Sequence, residues 1–279
     1  MSKIDLTALA EDVQAEHDAL ADLLVSLPEA AWDSATPAPQ WSVRDQITHL
    51  AFFDGITRLA ISEPAKFERF RDELPDLQEY VDGIAKDSGG RTGPAMLSWW
   101  AEERQDLLRD ALRVDPSFRV PWFGPSMSLA SKLTARLMET WAHGQDVVDA
   151  LALNRPPSER LKQVARIGVL AFPNSFVTNG LEVPKMPVQV TLTPPDGGSP
   201  WEWGDPTAED RVEGLAEDFC LVVTQRRHVL DTSLVVKGKT ANSWMAIAQA
   251  FAGPPGEGRK AGQFATGLTY PRKPVGGSV

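Results

Sequence analysis

The apolar residues of this chain change period partway along, and that change constrains the fold more than any other feature. As far as Leu151 they recur at helical spacing; beyond Pro184 they alternate. Leu6, Leu9, Val13, Leu20, Leu24 and Leu27 mark a first helix. A Pro-rich turn ends at Pro39. A second helix starts at Ser42, whose hydroxyl can cap it, with Asp45 three residues on; Val43, Ile47, Leu50 and Phe53 are its apolar positions. Residues 63–93 are polar and weakly periodic, and read as loop with a short helix. A third helix is predicted from about Ala95 to Arg113, with Leu97, Trp100, Leu107, Leu108 and Ala111 on its buried face. After a loop containing Pro116, Pro121 and Pro125 comes a fourth, Leu129 to Leu151, whose stripe is Leu129, Leu133, Leu137, Trp141 and Val148. Four helices with one stripe each predict a four-helix bundle.

Asn154-Arg155-Pro156-Pro157 is the best domain boundary, giving residues 1–153 and 154–279. Leu161, Val164, Ile167 and Leu170 mark a fifth helix. Val188, Val190 and Leu192 then alternate with Gln189 and Thr191 as a strand. Pro195-Asp196-Gly197-Gly198 is a turn, and Trp201-Glu202-Trp203 the returning strand. Arg211-Val212-Glu213 adds a strand, Leu215, Phe219 and Val222 a helix, Leu234 and Val236 a strand, and Trp244, Ile247, Ala248 and Phe251 a last helix. The second half is thus mixed, and the whole chain α+β. From Gly253 the chain is rich in Gly and Pro and basic, with Arg259, Lys260, Arg272 and Lys273, and reads as extended coil.

Composition narrows the function classes. A formal net charge of −10 argues against a general binder of nucleic acid or anionic membrane, though not against a local basic pocket for a small anion. A single cysteine, Cys220, rules out an internal disulfide. With an N-terminus that reads as an acidic amphipathic helix rather than a signal peptide, this fits a reducing cytoplasm. No apolar run approaches the ~20 residues needed to span a bilayer. A monomer or homodimer acting on small molecules is the expectation.

Three side chains carry the chemistry. Glu139 and His143 are four residues apart in the fourth helix, so they share a face one turn apart; His49 lies in the second. Two imidazoles and a carboxylate form a divalent-metal ligand set that leaves a further position open. Glu and His at this spacing more often form a solvated pair, and there is a geometric tension. At ~100° per residue, Glu139 and His143 sit well away from the Leu133–Leu137–Trp141 stripe, on a face shared with Lys132, Arg136 and Asp146. A metal site requires that this helix be covered on both sides, or that its polar face line a cleft.

The segment Trp41-Ser42-Val43-Arg44-Asp45-Gln46-Ile47-Thr48-His49-Leu50, with Asp54 beyond it, resembles the second-helix signature of the DinB-like metal-binding superfamily. Glu139-Thr140-Trp141-Ala142-His143-Gly144-Gln145-Asp146-Val147 resembles the fourth-helix signature of its mycothiol-dependent maleylpyruvate isomerase branch. The resemblance covers about residues 5 to 152. It implies a four-helix bundle in which His49, Glu139 and His143 hold zinc; the same donors also suit iron, nickel or cobalt. The second half, through Val188-Gln189-Val190-Thr191-Leu192-Thr193, Trp201-Glu202-Trp203 and the segment from Val212 to Phe219, resembles the family's α+β C-terminal domain, akin to a sterol-carrier-protein fold. There a Thr-Gly-Arg-like sequence supplies an arginine to the substrate. Here the stretch reads Thr224-Gln225-Arg226-Arg227-His228, so Arg226 takes the matching place while Gln225 replaces the usual glycine. The ending Ala248 to Gly256 is similar to an actinobacterial subgroup distinct from the authentic isomerases.

The resemblance implies a metal-bound thiolate of mycothiol attacking a small electrophilic, carboxylate-bearing substrate, with Arg226 stabilising the carboxylate or a developing oxyanion. Isomerisation and thiol transfer are both compatible with that start. The alternatives are a hydrolase using a zinc-activated water with Asp146 as base, and a non-catalytic metal- or ligand-binding regulator. Asp146 reads equally as a group that orients a ligand histidine and as a surface charge. His17, on the apolar side of the first helix, reads as a hydrogen-bonded core residue more readily than as a cleft residue. Arg104 can bind an anion or bury its stem with its head in water, Cys220 reads as packed, and His228 as a surface residue.

Overall fold

The computed structural model describes residues 5–74, 76–87 and 89–264, which fall into two compact units divided between Leu153 and Asn154. In the first unit, α1 (Leu6–Leu24) starts at Asp5, whose carboxylate accepts from the N–H groups of Thr7 and Ala8. A 3₁₀ turn, Glu29–Asp33, buries Trp32. α2 (Val43–Ser62) opens on a reciprocal capping box between Ser42 and Asp45. Where the sequence predicts loop with a short helix there are two, α3 (Pro64–Asp72) and α4 (Leu77–Lys86). Pro64 starts the first and the Asp76 carboxylate caps the second. Phe67 is the buried residue of α3, too little to write a stripe into the sequence.

α5 (Gly93–Ala111) starts and ends two residues earlier than predicted, because Pro94 belongs in the first turn, where a missing N–H costs nothing. The proline-containing loop holds an antiparallel hairpin that alternation over two residues per strand does not reveal, β1 (Arg119–Val120) with β2 (Met127–Ser128). α6 (Leu129–Leu151) follows, capped by the Ser128 hydroxyl. α2 packs on α5 and α6, and α1 on α6 and α5, around Leu20, Leu24, Ile47, Leu50, Met96 and Trp100. Helix α6 is covered on more than its apolar stripe: Lys132, Arg136 and Asp146 are buried along with Leu133, Leu137 and Trp141.

At the centre of this unit is a buried carboxylate. Asp54 of α2 accepts from Arg136 Nε of α6 at 2.8 Å and from Trp100 Nε1 of α5 at 2.9 Å, while His17 Nε2 of α1 lies 3.6 Å away. His17 is fully buried, as expected of a core residue, yet neither ring nitrogen has a hydrogen-bond partner among the described residues. Arg104 departs from the expected water-facing head: it pairs with Asp18 at 3.1 Å and lies over Trp100, with Nε and Nη1 buried.

In the second unit, α7 (Leu161–Leu170) and α8 (Phe172–Thr178) precede β3 (Val188–Thr193), β4 (Trp201–Trp203) and β5 (Asp210–Leu215). α9 (Ala216–Val223), β6 (Val235–Lys237) and α10 (Lys239–Met245) complete it. The sheet order is β4-β3-β5-β6, with β3 parallel to β5 and the other pairs antiparallel. α7 packs on α9, and Gly168 allows the approach: a Cβ there would lie 2.6 Å from Val223 Cγ2. The predicted last helix stops short of Ile247, Ala248 and Phe251. The chain instead turns back to the end of α9, where Ala250 N donates to Val223 O at 2.8 Å. Residues 253–264 are irregular, with a turn at 261–264; Arg272 and Lys273 lie outside the described residues. Among the described residues no helix is long and apolar enough to cross a membrane.

Two outcomes follow from the buried centre. Asp54→Leu, which leaves Arg136 buried without its carboxylate, is expected to cost about 3–5 kcal/mol in urea unfolding, whereas Asp54→Leu with Arg136→Met should cost less than the single change. Burial pushes the His17 imidazole down to about 4, against a pull upward from Asp54. Between pH 6.5 and about 4 the unfolded chain therefore binds a proton at His17 that the folded protein refuses. Stability falls as pH falls through that window, by up to roughly 3 kcal/mol. The difference in stability between the wild type and His17→Leu should show this slope below pH 6.5 and be flat above it.

Candidate metal centre

The capping box sets the start of α2, and within its first two turns the helix delivers Gln46 and His49 to the face that meets α6. From α6 come Glu139 and His143. His49, Glu139 and His143 each offer a ligand atom, and these atoms lie within 4.8 Å of one another. Glu139 Oε2 is 3.2 Å from His143 Nε2 and 3.8 Å from His49 Nε2. Donors at ~2.1 Å around one tetrahedral ion are about 3.4 Å apart, so the spacing fits a shared cation. The two imidazoles lie with centroids 4.4 Å apart, and Trp41 stacks on His143 at 5.8 Å and 19°.

A hydrogen-bond relay sets the tautomer. Thr36 Oγ1 donates to the Trp41 carbonyl at 2.8 Å, which leaves its oxygen to accept from Gln46 Nε2 at 3.0 Å. That orients Gln46 Oε1 toward His143 Nδ1, its hydrogen-bond partner, which must therefore carry the proton. In the neutral His143 ring Nε2 then holds the lone pair, 3.2 Å from Glu139 Oε2; in the doubly protonated ring it donates to that carboxylate. For Glu139, burial raises the carboxyl pKa, but hydrogen bonds from His143 and His49 outweigh it and hold the group well below its usual range. Burial, reinforced by the neighbouring His143, pushes His49 down to about 4, and its Nδ1 is buried with no partner among the described residues. A metal ion bound here would take the place of the protons shared between these imidazoles and the carboxylate, leaving an ionised carboxylate and two lone pairs. That is the protonation state a metal requires of its ligands.

Asp146 is fully buried, so the surface-charge reading fails, and His143 Nδ1 is held by Gln46. Sequence reasoning passed over Gln46; its signal was the i,i+3 spacing to His49, which places both on one face of α2. Arg226 follows α9 in the second unit, its N–H bonded to Leu221 O and its Nη1 donating to Thr224 O at 2.7 Å. Gln225 has φ +62°, a left-handed conformation that explains why glycine is usual there. Its side-chain amide donates to Ala248 O at 3.3 Å, which holds the strained residue against the returning chain. Cys220 is packed as predicted, its thiol buried and pushed well above its usual range by burial. His228, predicted as a bare surface residue, caps a 3₁₀ turn by accepting from Leu230 N at 3.1 Å.

Fold and cluster together define a helix-rich α+β protein with a two-histidine, one-carboxylate centre in its first unit. The family of the mycothiol maleylpyruvate isomerase N-terminal domain matches residues 13–148. An uncharacterized protein of Mycobacterium tuberculosis, in strains CDC 1551 and H37Rv, is 42% identical over 249 residues, covering 89% of this chain and 96% of the relative. Crystal structures of the mycothiol-dependent maleylpyruvate isomerase, and of a histidine-to-alanine mutant of it, share the fold with TM-scores of 0.56 and 0.54 at 13% and 14% identity; each match covers 81% of this chain and 93% of the other. The chain belongs to the mycothiol-dependent maleylpyruvate isomerase family.

If Gln46 fixes the His143 tautomer, Gln46→Leu should lower the affinity for zinc by about 10- to 100-fold while leaving the helical circular dichroism unchanged. Gln46→Glu, which keeps an acceptor at that place, should recover most of the loss. Competition with a chromophoric chelator measures both.

Proposed function

We propose that this protein is a zinc-dependent enzyme that uses mycothiol as cosubstrate in an isomerase or thiol-transferase reaction on a small electrophilic carboxylate. In this reading the four long helices form a DinB-like four-helix bundle, and the second unit, residues 154–279, is the sterol-carrier-protein-like domain. His49, Glu139 and His143 hold the metal. The observation that carries the proposal is the convergence of His49, Glu139 and His143 from two helices, their donor atoms within 4.8 Å of one another, with His143 Nδ1 bound to Gln46. A divalent ion bound there would act as a Lewis acid, lowering the pKa of a thiol at its open position so that the sulfur is anionic near neutral pH.

The protein's own groups do the rest. Gln46 and Trp41 hold the His143 ring, so Nε2 is the nitrogen turned to the metal position. Arg226 is the guanidinium proposed to bind the substrate carboxylate or a developing oxyanion, a task its planar fork suits. Isomerisation and thiol transfer both start with a sulfur–carbon bond; they part only in whether that bond breaks again. Hydrolysis needs a solvent-facing base beside the metal. Asp146, the residue first considered for that role, is fully buried, which favours the thiol reading.

Elemental analysis of the purified chain should find close to one equivalent of zinc, and His49→Ala should retain less than about a tenth of it, since two ligands hold an ion far more weakly than three. Full retention in the variant removes His49 from the site. Turnover of maleylpyruvate, or of related unsaturated acids, should depend on added mycothiol and fall strongly in Arg226→Met. Turnover independent of thiol overturns the thiol mechanism and leaves hydrolysis.

A further inference from the structure

Lys132 lies on the same face of α6 as Arg136, Glu139 and His143, and only 2% of its surface is exposed. Among the described residues its amine makes no hydrogen bond or ion pair. What it touches is the face of Trp122, with Nζ 3.0 Å from the ring centroid. A cation–π contact satisfies one side of an ammonium and leaves donors unused. A buried cation with no carboxylate in contact is costly, by several kcal/mol in proteins generally; burial accordingly lowers the Lys132 pKa well below its usual value, with Glu139 pulling it back up, and an anionic ligand in contact would favour the charged amine. The rings around it are a connected set. Trp122 stacks on Phe67 at 5.7 Å and 6°, and Phe123 meets Phe67 edge-on at 5.3 Å. Phe53 bridges from Trp122, at 6.4 Å, to the His49 imidazole, at 4.6 Å. An unbroken run of aromatic faces thus leads from the metal ligands to the lone amine.

We propose that Lys132, with Phe53, Phe67, Trp122 and Phe123, forms an anion subsite for a carboxylate carried on an aromatic or extended apolar body, next to the metal cluster. It rests on the metal reading only for the chemistry at the other end of the ligand. The ammonium supplies the charge-assisted hydrogen bonds, and the rings take the apolar body. Trp122 and Phe123 sit on the β1–β2 hairpin and are only partly buried, while Gly124, Pro125 and Ser126 at its tip are exposed. A ligand can therefore reach the amine by shifting a hairpin side chain rather than the core. Lysine at this position thereby selects for an acid group, and the aromatic wall selects against small hydrophilic acids.

The test uses the full chain with and without zinc, and trans-cinnamate against its neutral amide as probes. Binding is read from tryptophan fluorescence and calorimetry. Cinnamate should bind wild type at least about tenfold more tightly than Lys132→Met, the worth of one charge-assisted hydrogen bond. The amide should bind both proteins alike, and acetate should bind weakly. Because Lys132 is buried, a second arm leaves the residue in place. The ¹³C-methylated amine of Lys132 in wild type should shift in NMR with cinnamate and not with the amide. Equal cinnamate affinity in the two proteins, an unmoved Lys132 signal, or no binding at all overturns the subsite. Zinc content is measured separately, so loss of the metal reading and loss of the subsite are told apart: cinnamate binding that depends on Lys132 in zinc-free protein upholds the subsite even if no zinc is found.

Discussion

Asp54 is a carboxylate with no exposed surface, and the helices of the first unit are arranged around it. It receives the guanidinium of Arg136 from α6 and the indole N–H of Trp100 from α5, with His17 of α1 beside it. An ion pair in this position is not where stability comes from, since hydrophobic replacements of similar volume are often as stable. What it does is select one arrangement. Any rotation of α2 or α6 that removes Arg136 from Asp54 strands two charges in an apolar interior, and that cost exceeds any gain in packing from the rotated state. Arg136 also donates to the Leu50 carbonyl at 3.3 Å, one residue beyond His49. Glu139 is three residues beyond Arg136 on the same face of α6. The pair that fixes the helix register therefore also fixes the approach of His49 to Glu139, less than one turn away on each helix.

This arrangement resolves the tension between the apolar stripe of α6 and the polar face that carries Glu139 and His143. An amphipathic surface helix would present the polar face to solvent. Instead α6 is enclosed on both, and each polar group on the inner side has a reason to be there: Arg136 answers Asp54, Glu139 and His143 answer His49, and Lys132 lies under Trp122. Helical periodicity on its own cannot distinguish a solvated polar face from a functional one. Charges of both signs at i, i+4, i+7 and i+11 on a single face are what a buried network needs, and they are also what an exposed face tolerates.

Long elements with a single apolar stripe were readable from the sequence. The four long helices and the β3–β4 hairpin lie where periodicity placed them, because each buries several residues on one side. What periodicity missed are elements held by one contact or by the chain elsewhere. Helix α3 depends on Phe67, the β1–β2 hairpin on two residues per strand, and the end of α10 on a backbone bond to Val223. In the site, the cluster of His49, Glu139 and His143 was legible because side chains able to bind a metal are few and chemically distinct. Gln46 was not, because a glutamine on a helix face has no single meaning until its amide is seen between Thr36 and His143.

The departure at Gln225 shows how a family position can change residue and keep its backbone. With φ at +62° it sits where glycine is preferred, at a cost of order 1 kcal/mol for a side chain. The turn also has Arg226 N and Arg227 N both donating to Leu221 O, so the end of α9 is closed by main-chain bonds that do not depend on glycine. The glutamine amide adds bonds to Ala248 O and to the Gln249 side chain, which glycine could not make. These tie the Arg226 loop to the segment after α10, where the helix predicted from Ile247, Ala248 and Phe251 is absent. The two differences from expectation in the second unit are thus one event: the chain gives up the last turns of a helix to support a strained turn, and the turn carries the arginine proposed to meet the substrate.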